Sequence, residues 1–254
     1  KEQNQLDEEG LERLVDHILD GGVHGLFVLG TTGEGPGLSH ELRCLMIAQT
    51  CRHVGGRVPV LAGISDTSFA EAVSLARHAA DCGAAAVVTA PPYYFPADQP
   101  ELIQYIDHLV HEIPLPLFLY NMPSHTKVHF QLDTLKKLVA LDGIAGLKDS
   151  SGNMVYFYEV LETLNSREDF SMLMGLEELL AESLLFGADG GVCGGANVVP
   201  RLYVRMYEAA VQRDLAAVAR LHEEIFRFRK LYQFGQHPSS SLKGIKCALA
   251  VLGV

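Results

Sequence analysis

IAGLKDS, residues 144–150, is a short apolar run that closes on a lysine. Of the eight lysines, Lys1, Lys127, Lys136, Lys137, Lys230, Lys243 and Lys246 lie in loops, termini or helical patterns, and only Lys148 ends an apolar strand. Strand alternation puts Ile144, Gly146 and Lys148 on one face and Ala145 and Leu147 on the other. With Ala145 and Leu147 packed on helices, Lys148 points to the opposite face, above a glycine that leaves it room. Six further runs share this character: 25–30 (GLFVLG), 58–64 (VPVLAGI), 84–92 (AAAVVTAPP), 115–122 (LPLFLYNM), 170–175 (FSMLMG) and 190–197 (GGVCGGAN). Between them lie helical patterns at 8–20, 39–54, 68–82, 99–111, 131–141, 155–165 and 176–186. Continuous apolar strands alternating with amphipathic helices of this length predict repeated βα units and a parallel sheet covered on both faces. Ser39 and Ser68 stand where helices start, and Gly21, Gly55 and Gly83 where they stop.

The strands recur about every 25–35 residues without a long insertion, which favours a closed (β/α)8 TIM barrel over a doubly wound sheet. An eight-stranded barrel needs one more strand before Asp7, where the sequence at hand opens on a helix. After Pro200 the pattern is all helical, at 201–212, 214–232 and, beyond the HPSSS loop, 242–252. The expected organisation is a barrel catalytic domain over residues 1–213 and a helical segment packed on it over 214–254.

Composition narrows the class. The chain has 254 residues, 48% of them hydrophobic, with 20 basic and 31 acidic side chains for a net charge of −11. Without clustered Lys and Arg it is a poor nucleic-acid binder. No apolar stretch approaches the roughly 20 residues that span a bilayer, and KEQNQLDEEG at the start is too polar for a signal peptide. Cys44, Cys51, Cys82, Cys193 and Cys247 show no CxxC spacing and read as buried free thiols of a reducing, cytoplasmic protein.

In a parallel barrel, chemistry belongs at the C-terminal strand ends and the loops after them. Desolvating an ammonium is costly, so burial favours the neutral amine of Lys148, which can attack a ketone. A lysine paired with Asp149 at the rim is the other reading. Tyr120 ends its strand in the same register, with Phe118 below it and Leu117 and Leu119 outward. Its phenol can relay a proton to a carbinolamine, or can be a core tyrosine with a satisfied hydroxyl. Gly30-Thr31-Thr32-Gly33-Glu34-Gly35 offers backbone N–H groups and two hydroxyls to a carboxylate or phosphate, or is only a tight turn. It is neither a P-loop nor GxGxxG. The eleven histidines form no HExxH or HxH, and His125 and His129 do not share a helix face because Pro123 and a strand-like context precede them. No metal site is expected. Glu177 and Glu178 open a helix, where a solvated, dipole-stabilised position is their ordinary reading.

Four ordered motifs, GTTGEG (30–35), PPYY (91–94), LYNMPS (119–124) and GLKDSSGN (146–153), resemble the dihydrodipicolinate synthase and N-acetylneuraminate lyase superfamily over essentially the whole chain. The resemblance implies a (β/α)8 barrel and class I, pyruvate-type aldolase chemistry without metal or nucleotide cofactor. It implies that Lys148 forms an imine with pyruvate or another 2-oxo acid and that Tyr120 relays protons. By the same resemblance, Thr31 and Thr32 would bind the oxo acid's carboxylate, with Thr32 in the relay beside Tyr120. Tyr94 matches the tyrosine that in the synthases reaches into a neighbouring subunit's site, and a homo-oligomer, mostly a tetramer in the family, is implied. Gly33, His125, Glu177 and Val192 complete the implied substrate-binding set.

His125 stands where the synthases carry the arginine that grips the aldehyde's carboxylate. Histidine lacks that permanently charged, bidentate fork, though Lys127 offers a point charge. GLEE (175–178) and GADGGV (187–192) look more like the lyases, which handle polyhydroxy substrates, yet Thr31 stands where those have a serine. The leading reading is therefore a Schiff-base lyase condensing or cleaving pyruvate with an aldehyde of sugar-acid origin. Beside it stand a 4-hydroxy-tetrahydrodipicolinate synthase, a dehydratase or deaminase on the same imine, and a non-catalytic 2-oxo-acid sensor.

Overall fold

The computed structural model describes residues 5–164, 167–237 and 239–254. In chain order its elements begin α1 (Glu8–Asp20), β1 (Leu26–Val28), α2 (His40–Val54), β2 (Val60–Gly63), α3 (Phe69–Asp81), β3 (Ala86–Thr89) and α4 (Gln99–Glu112). Next come β4 (Leu117–Asn121), α5 (Pro123–Thr126), α6 (Leu132–Leu138), β5 (Ile144–Asp149), α7 (Met154–Leu164) and β6 (Ser171–Met174). The remainder are α8 (Leu180–Leu185), β7 (Gly190–Gly191), α9 (Pro200–Val211), α10 (Leu215–Arg229) and α11 (Ser240–Leu252). Two compact units emerge, Gly25–Leu173 on one hand and Lys1–His24 with Met174–Val254 on the other. The helical segment 214–254 lies wholly in the second of these.

In Gly25–Leu173 the strands lie side by side in chain order from β1 to β6. Each pair from β1 to β5 is parallel, as Leu26 opposite Val60 and Val87 opposite Leu117 illustrate. β3 is buried at all four residues, as strands covered on both faces must be. On β4, Leu117 and Leu119 are fully buried on the face opposite Phe118 and Tyr120. Burying such a leucine is worth about 1.5–3 kcal/mol, enough to hold the strand's facing against a one-residue slip. One irregularity corrects the simple alternation of β5. Leu117 faces Ile144 but Phe118 faces Gly146, so Ala145 is an extra residue and the alternation runs cleanly only from Gly146 onward.

The helices start and stop where their side chains satisfy backbone ends. Ser39, Ser68 and Asp98 cap α2, α3 and α4, the last with Glu101 in a reciprocal box. Gly55 ends α2 in the left-handed conformation.

In the other unit, α8, α9 and α10 bury a common cluster that includes Leu180, Tyr203, Met206, Leu221 and Ile225. The segment 190–197 is strand only at Gly190–Gly191, and Gly194–Asn197 is a 3-10 turn. Its glycines bring no β-branched surface to hold a longer strand. Likewise 176–186 divides into a 3-10 turn, Glu177–Leu179, and α8, while the pattern at 214–232 ends in a 3-10 turn at Lys230–Gln233. α6 is shorter than its pattern, and α11 begins earlier than its own. Residue 165, the end of one helical pattern, and Pro238 of the HPSSS loop lie outside the described residues. Of the cysteines, all free, only Cys51 is buried, with its thiol pushed up to about 11 by burial; Cys247 is exposed. Among the described residues no helix is long and apolar enough to cross a membrane.

Candidate active site

Lys148 and Tyr120 occupy opposite positions on β5 and β4 and project from the same face of the sheet. The Lys148 Nζ lies 4.3 Å from the centre of the Tyr120 ring and 4.9 Å from that of Phe27. Only 7% of Lys148 is exposed, and among the described residues no carboxylate pairs with it. The rim ion pair with Asp149 does not form. That carboxylate sits on the opposite face of β5, where it accepts from the Asn121 amide and the Ser151 hydroxyl. Room for this arrangement comes from Gly146. A Cβ there would stand 2.3 Å from the Phe118 ring and 2.6 Å from the Ser171 carbonyl. Phe118, Met122, Phe27 and Leu61 pack around Val88, Ala90 and Tyr120, so the floor of the site is apolar.

Tyr120 is buried, as a core tyrosine would be, and its hydroxyl reaches a side chain of the loop after β1. It shares a 3.2 Å hydrogen bond with the Thr31 hydroxyl. The hydroxyl bonded to Tyr120 is thus that of Thr31, and not that of Thr32 as the resemblance implied. The reason is local backbone. Leu29 adopts a left-handed φ of 61°, unusual for a branched side chain, and it turns the chain as β1 ends. Gly63 and Gly35 make that turn possible, since a Cβ on either would meet the Leu29 carbonyl oxygen at 2.5 and 2.1 Å. The loop then closes through Glu34 N–H to the Thr31 carbonyl and Gly35 N–H to the Gly30 carbonyl. These bonds do not use the N–H groups of Thr31, Thr32 and Gly33. The segment is thus a tight turn that leaves successive donors for an anion.

His125 is exposed on α5, a helical turn where a strand-like context was expected, and its Nδ1 lies 2.9 Å from the Ser124 hydroxyl. Lys127 ends that turn in the left-handed region, and its ammonium donates to the Ser124 carbonyl at 2.6 Å. Its charge is folded back onto α5. Tyr94 and Phe95 stack edge to face and are 74% and 82% exposed, whereas Tyr93 turns inward near Arg43 and Asp66.

In the second unit, Glu177 departs from the solvated position expected for it. It is 5% exposed, and its Oε2 accepts from the Gly195 N–H at 2.8 Å. The phenols of Tyr203 and Tyr232 crowd it. Burial raises its carboxyl above the usual range and drives both phenols far up as well. Glu178 pairs instead with Arg229 at 2.9 Å. Val192 follows β7, its N–H donating to the Met174 carbonyl.

From sequence alone, Phe27 and Leu29 carry no role, His129 is considered only as a metal ligand and Asn121 only as part of a motif. Phe27 had a signal in its strand position. Leu29 had none, because an aliphatic residue with positive φ leaves no compositional trace.

Comparison with known proteins gives the family. The model of the dihydrodipicolinate synthetase family matches residues 1–254. Dihydrodipicolinate synthase from Bacteroides thetaiotaomicron is 56% identical, with a TM-score of 0.95 over 98% of this chain and 84% of that one. YagE of Escherichia coli K12, a member of the same family solved with pyruvate, is 31% identical, with a TM-score of 0.93 over 98% and 83%. A second Escherichia coli K12 protein, named "Probable 2-dehydro-3-deoxy-D-pentonate aldolase YjhH", is 32% identical across 98% of this chain and 82% of its own. The chain therefore belongs to the dihydrodipicolinate synthetase family and is a lyase of the class I aldolase type.

Proposed function

We propose that Lys148 forms a Schiff base with pyruvate or a closely related 2-oxo acid, and that the chain makes or breaks a carbon–carbon bond between that acid and a hydroxylated, sugar-acid-derived aldehyde. The observation that carries this reading is the buried Lys148 amine beside a Tyr120 hydroxyl that is bonded to Thr31. The neutral amine adds to the C2 carbonyl to give a carbinolamine. Tyr120 and Thr31 pass a proton to the departing hydroxyl, and water leaves. The resulting imine acidifies C3; loss of its proton gives an enamine, whose C3 attacks the aldehyde carbon while the aldehyde oxygen takes up a proton and the iminium re-forms. Hydrolysis of the imine returns Lys148, and the reverse sequence cleaves. The iminium is itself the electron sink, so the chemistry calls for no metal or nucleotide.

The N–H groups of Thr31, Thr32 and Gly33 are suited to the oxo acid's carboxylate. His125 offers a hydrogen bond, not a charged fork, to the second substrate, and the likeness to a protein named as a pentonate aldolase supports a polyhydroxy partner. Within its own unit, Glu177 fixes the turn that follows Val192. The (β/α)8 barrel, the cytoplasmic location and a homo-oligomer built through Tyr94 belong to the same reading, supported by family membership, free thiols and exposed aromatics.

A second reading has a specific observation behind it: the relative with 56% identity is named a dihydrodipicolinate synthase. Borohydride reduction with pyruvate tests the imine, and Lys148→Arg should abolish the covalent label while leaving the fold intact. Specificity constants at fixed pyruvate then separate the readings. Hydroxy-aldehydes should exceed aspartate semialdehyde, and a tenfold preference for aspartate semialdehyde would establish the synthase instead.

A further inference from the structure

We propose that Asn121, Asp149 and His129 form a positioning clamp on the face of β4 and β5 opposite the nucleophile, and that protonating His129 releases it. The inference rests on the Schiff-base reading of Lys148.

Tyr120 faces Lys148 across the two strands, and the next pair is Asn121 with Asp149. Alternation sends that second pair to the other face, where Asn121 is fully buried and Asp149 only 1% exposed. All the polar atoms of the Asn121 side chain are used. Its Oδ1 accepts from the Phe130 backbone N–H at 3.3 Å. Its Nδ2 donates to Asp149 Oδ1 at 2.7 Å and lies 3.2 Å from His129 Nδ1. The Phe130 N–H can only donate, so it sets which way the amide points. Nδ2 must then supply a hydrogen to each of the other two. His129 Nδ1 is consequently an acceptor, and the ring is neutral with its proton on Nε2.

The surroundings hold His129 in that form. Partial burial lowers its pKa, and only the Asp149 carboxylate on β5 opposes this. From α7 the ring meets Tyr156, at 4.3 Å between centroids, a phenol driven far up by burial whose hydroxyl is committed to the Phe130 carbonyl. From α4 the neutral Gln99 amide donates to the His129 carbonyl. A proton on Nδ1 would set N–H against N–H at 3.2 Å. Flipping the Asn121 amide would not relieve it, because the Phe130 N–H and Asp149 would then both face the wrong atoms.

The consequence reaches the other face through two rigid strands. Lys148 and Tyr120 are the neighbours of the clamped pair, and misplacing reacting groups by about 1 Å costs on the order of 100-fold in rate. The clamp side chains lie on the face opposite the Lys148 amine, so their effect should fall on the rate of imine formation and not on its final extent.

The experiment is the rate of borohydride-trapped labelling with pyruvate, followed by mass spectrometry between pH 5 and 8, in the full chain. Asn121→Ala should label to one pyruvate per chain but at least tenfold more slowly at pH 7.5. His129→Gln retains an acceptor that cannot be protonated, so its rate should lose the part of the acid fall that wild type shows below pH ~6.5. Labelling of Asn121→Ala at the wild-type rate, or an unchanged acid limb in His129→Gln, would overturn the clamp. Absence of label in wild type would instead overturn the Schiff-base reading, and the clamp with it.

Discussion

Replacing Tyr120 with phenylalanine separates the ring from its hydroxyl. The ring stays beneath the Lys148 Nζ at 4.3 Å and edge-on to Phe27, with centroids 6.3 Å apart, so its packing persists. What is lost is one 3.2 Å hydrogen bond to Thr31, a residue with partial access to water. The stability cost should therefore be small, about 0.5–1.5 kcal/mol. The kinetic cost should be larger. Removing a general acid–base group costs roughly 10²–10⁴-fold, equivalent to about 3–5 kcal/mol of barrier. Initial rates with pyruvate and a hydroxy-aldehyde, beside a denaturant titration of both proteins, measure the two effects separately. Thr31→Val should slow the same step by about tenfold, while Thr32→Val should act mainly on the KM for pyruvate. Activity of Tyr120→Phe within threefold of wild type would show that the hydroxyl relays nothing. A Thr32→Val defect in kcat larger than that of Thr31→Val would refute the reassignment of the relay.

Gly146→Ala drives a Cβ against the Phe118 ring and the Ser171 carbonyl, and overpacking of this kind should destabilise by about 1–3 kcal/mol, read from the denaturant midpoint. A shift under 0.5 kcal/mol would mean that β6 yields there. Glu177 has a folded-state pKa raised above its unfolded value. The native state therefore holds the extra proton between those two values, and stability declines as pH rises through that window. Glu177→Gln keeps an acceptor for the Gly195 N–H and removes the buried charge. Its thermal midpoint should exceed that of wild type above the window, with the difference shrinking toward pH 4.5; a pH-independent difference would contradict this. Exposed Tyr94 and Phe95 should be covered in an oligomer at micromolar concentration. A fully active monomer by light scattering would refute that.

Much of the strand and helix plan was legible from periodicity and caps. α1 has the bounds its pattern predicts, and Ser39, Ser68 and Gly55 stand at the ends they were read to mark. These signals are local: a side chain a few residues away satisfies a backbone group, or burial repeats every second or every third to fourth position. The common facing of Lys148 and Tyr120 was legible for the same reason, as each stands near the end of an apolar strand where alternation holds.

What the chain order could not disclose depends on atoms distant in sequence. Thr31 and Thr32 are chemically alike, and only the left-handed turn at Leu29, accommodated by Gly63 from the neighbouring strand, decides which hydroxyl meets Tyr120. The extra residue at Ala145 is a property of the strand pair and is invisible in either strand alone. Glu177 reads as a solvated helix start because helix ends favour acids, but the turn at Gly195 folds over it and takes its carboxylate as an acceptor. Asn121 and His129 look like ordinary loop-side polar residues until β5 brings Asp149 alongside and α7 closes over the ring. Residue type and spacing determine which groups are able to react or to bond. Tertiary packing decides which partner each one meets, because a hydrogen bond tolerates only a few tenths of an ångström and only the folded chain sets separations that finely.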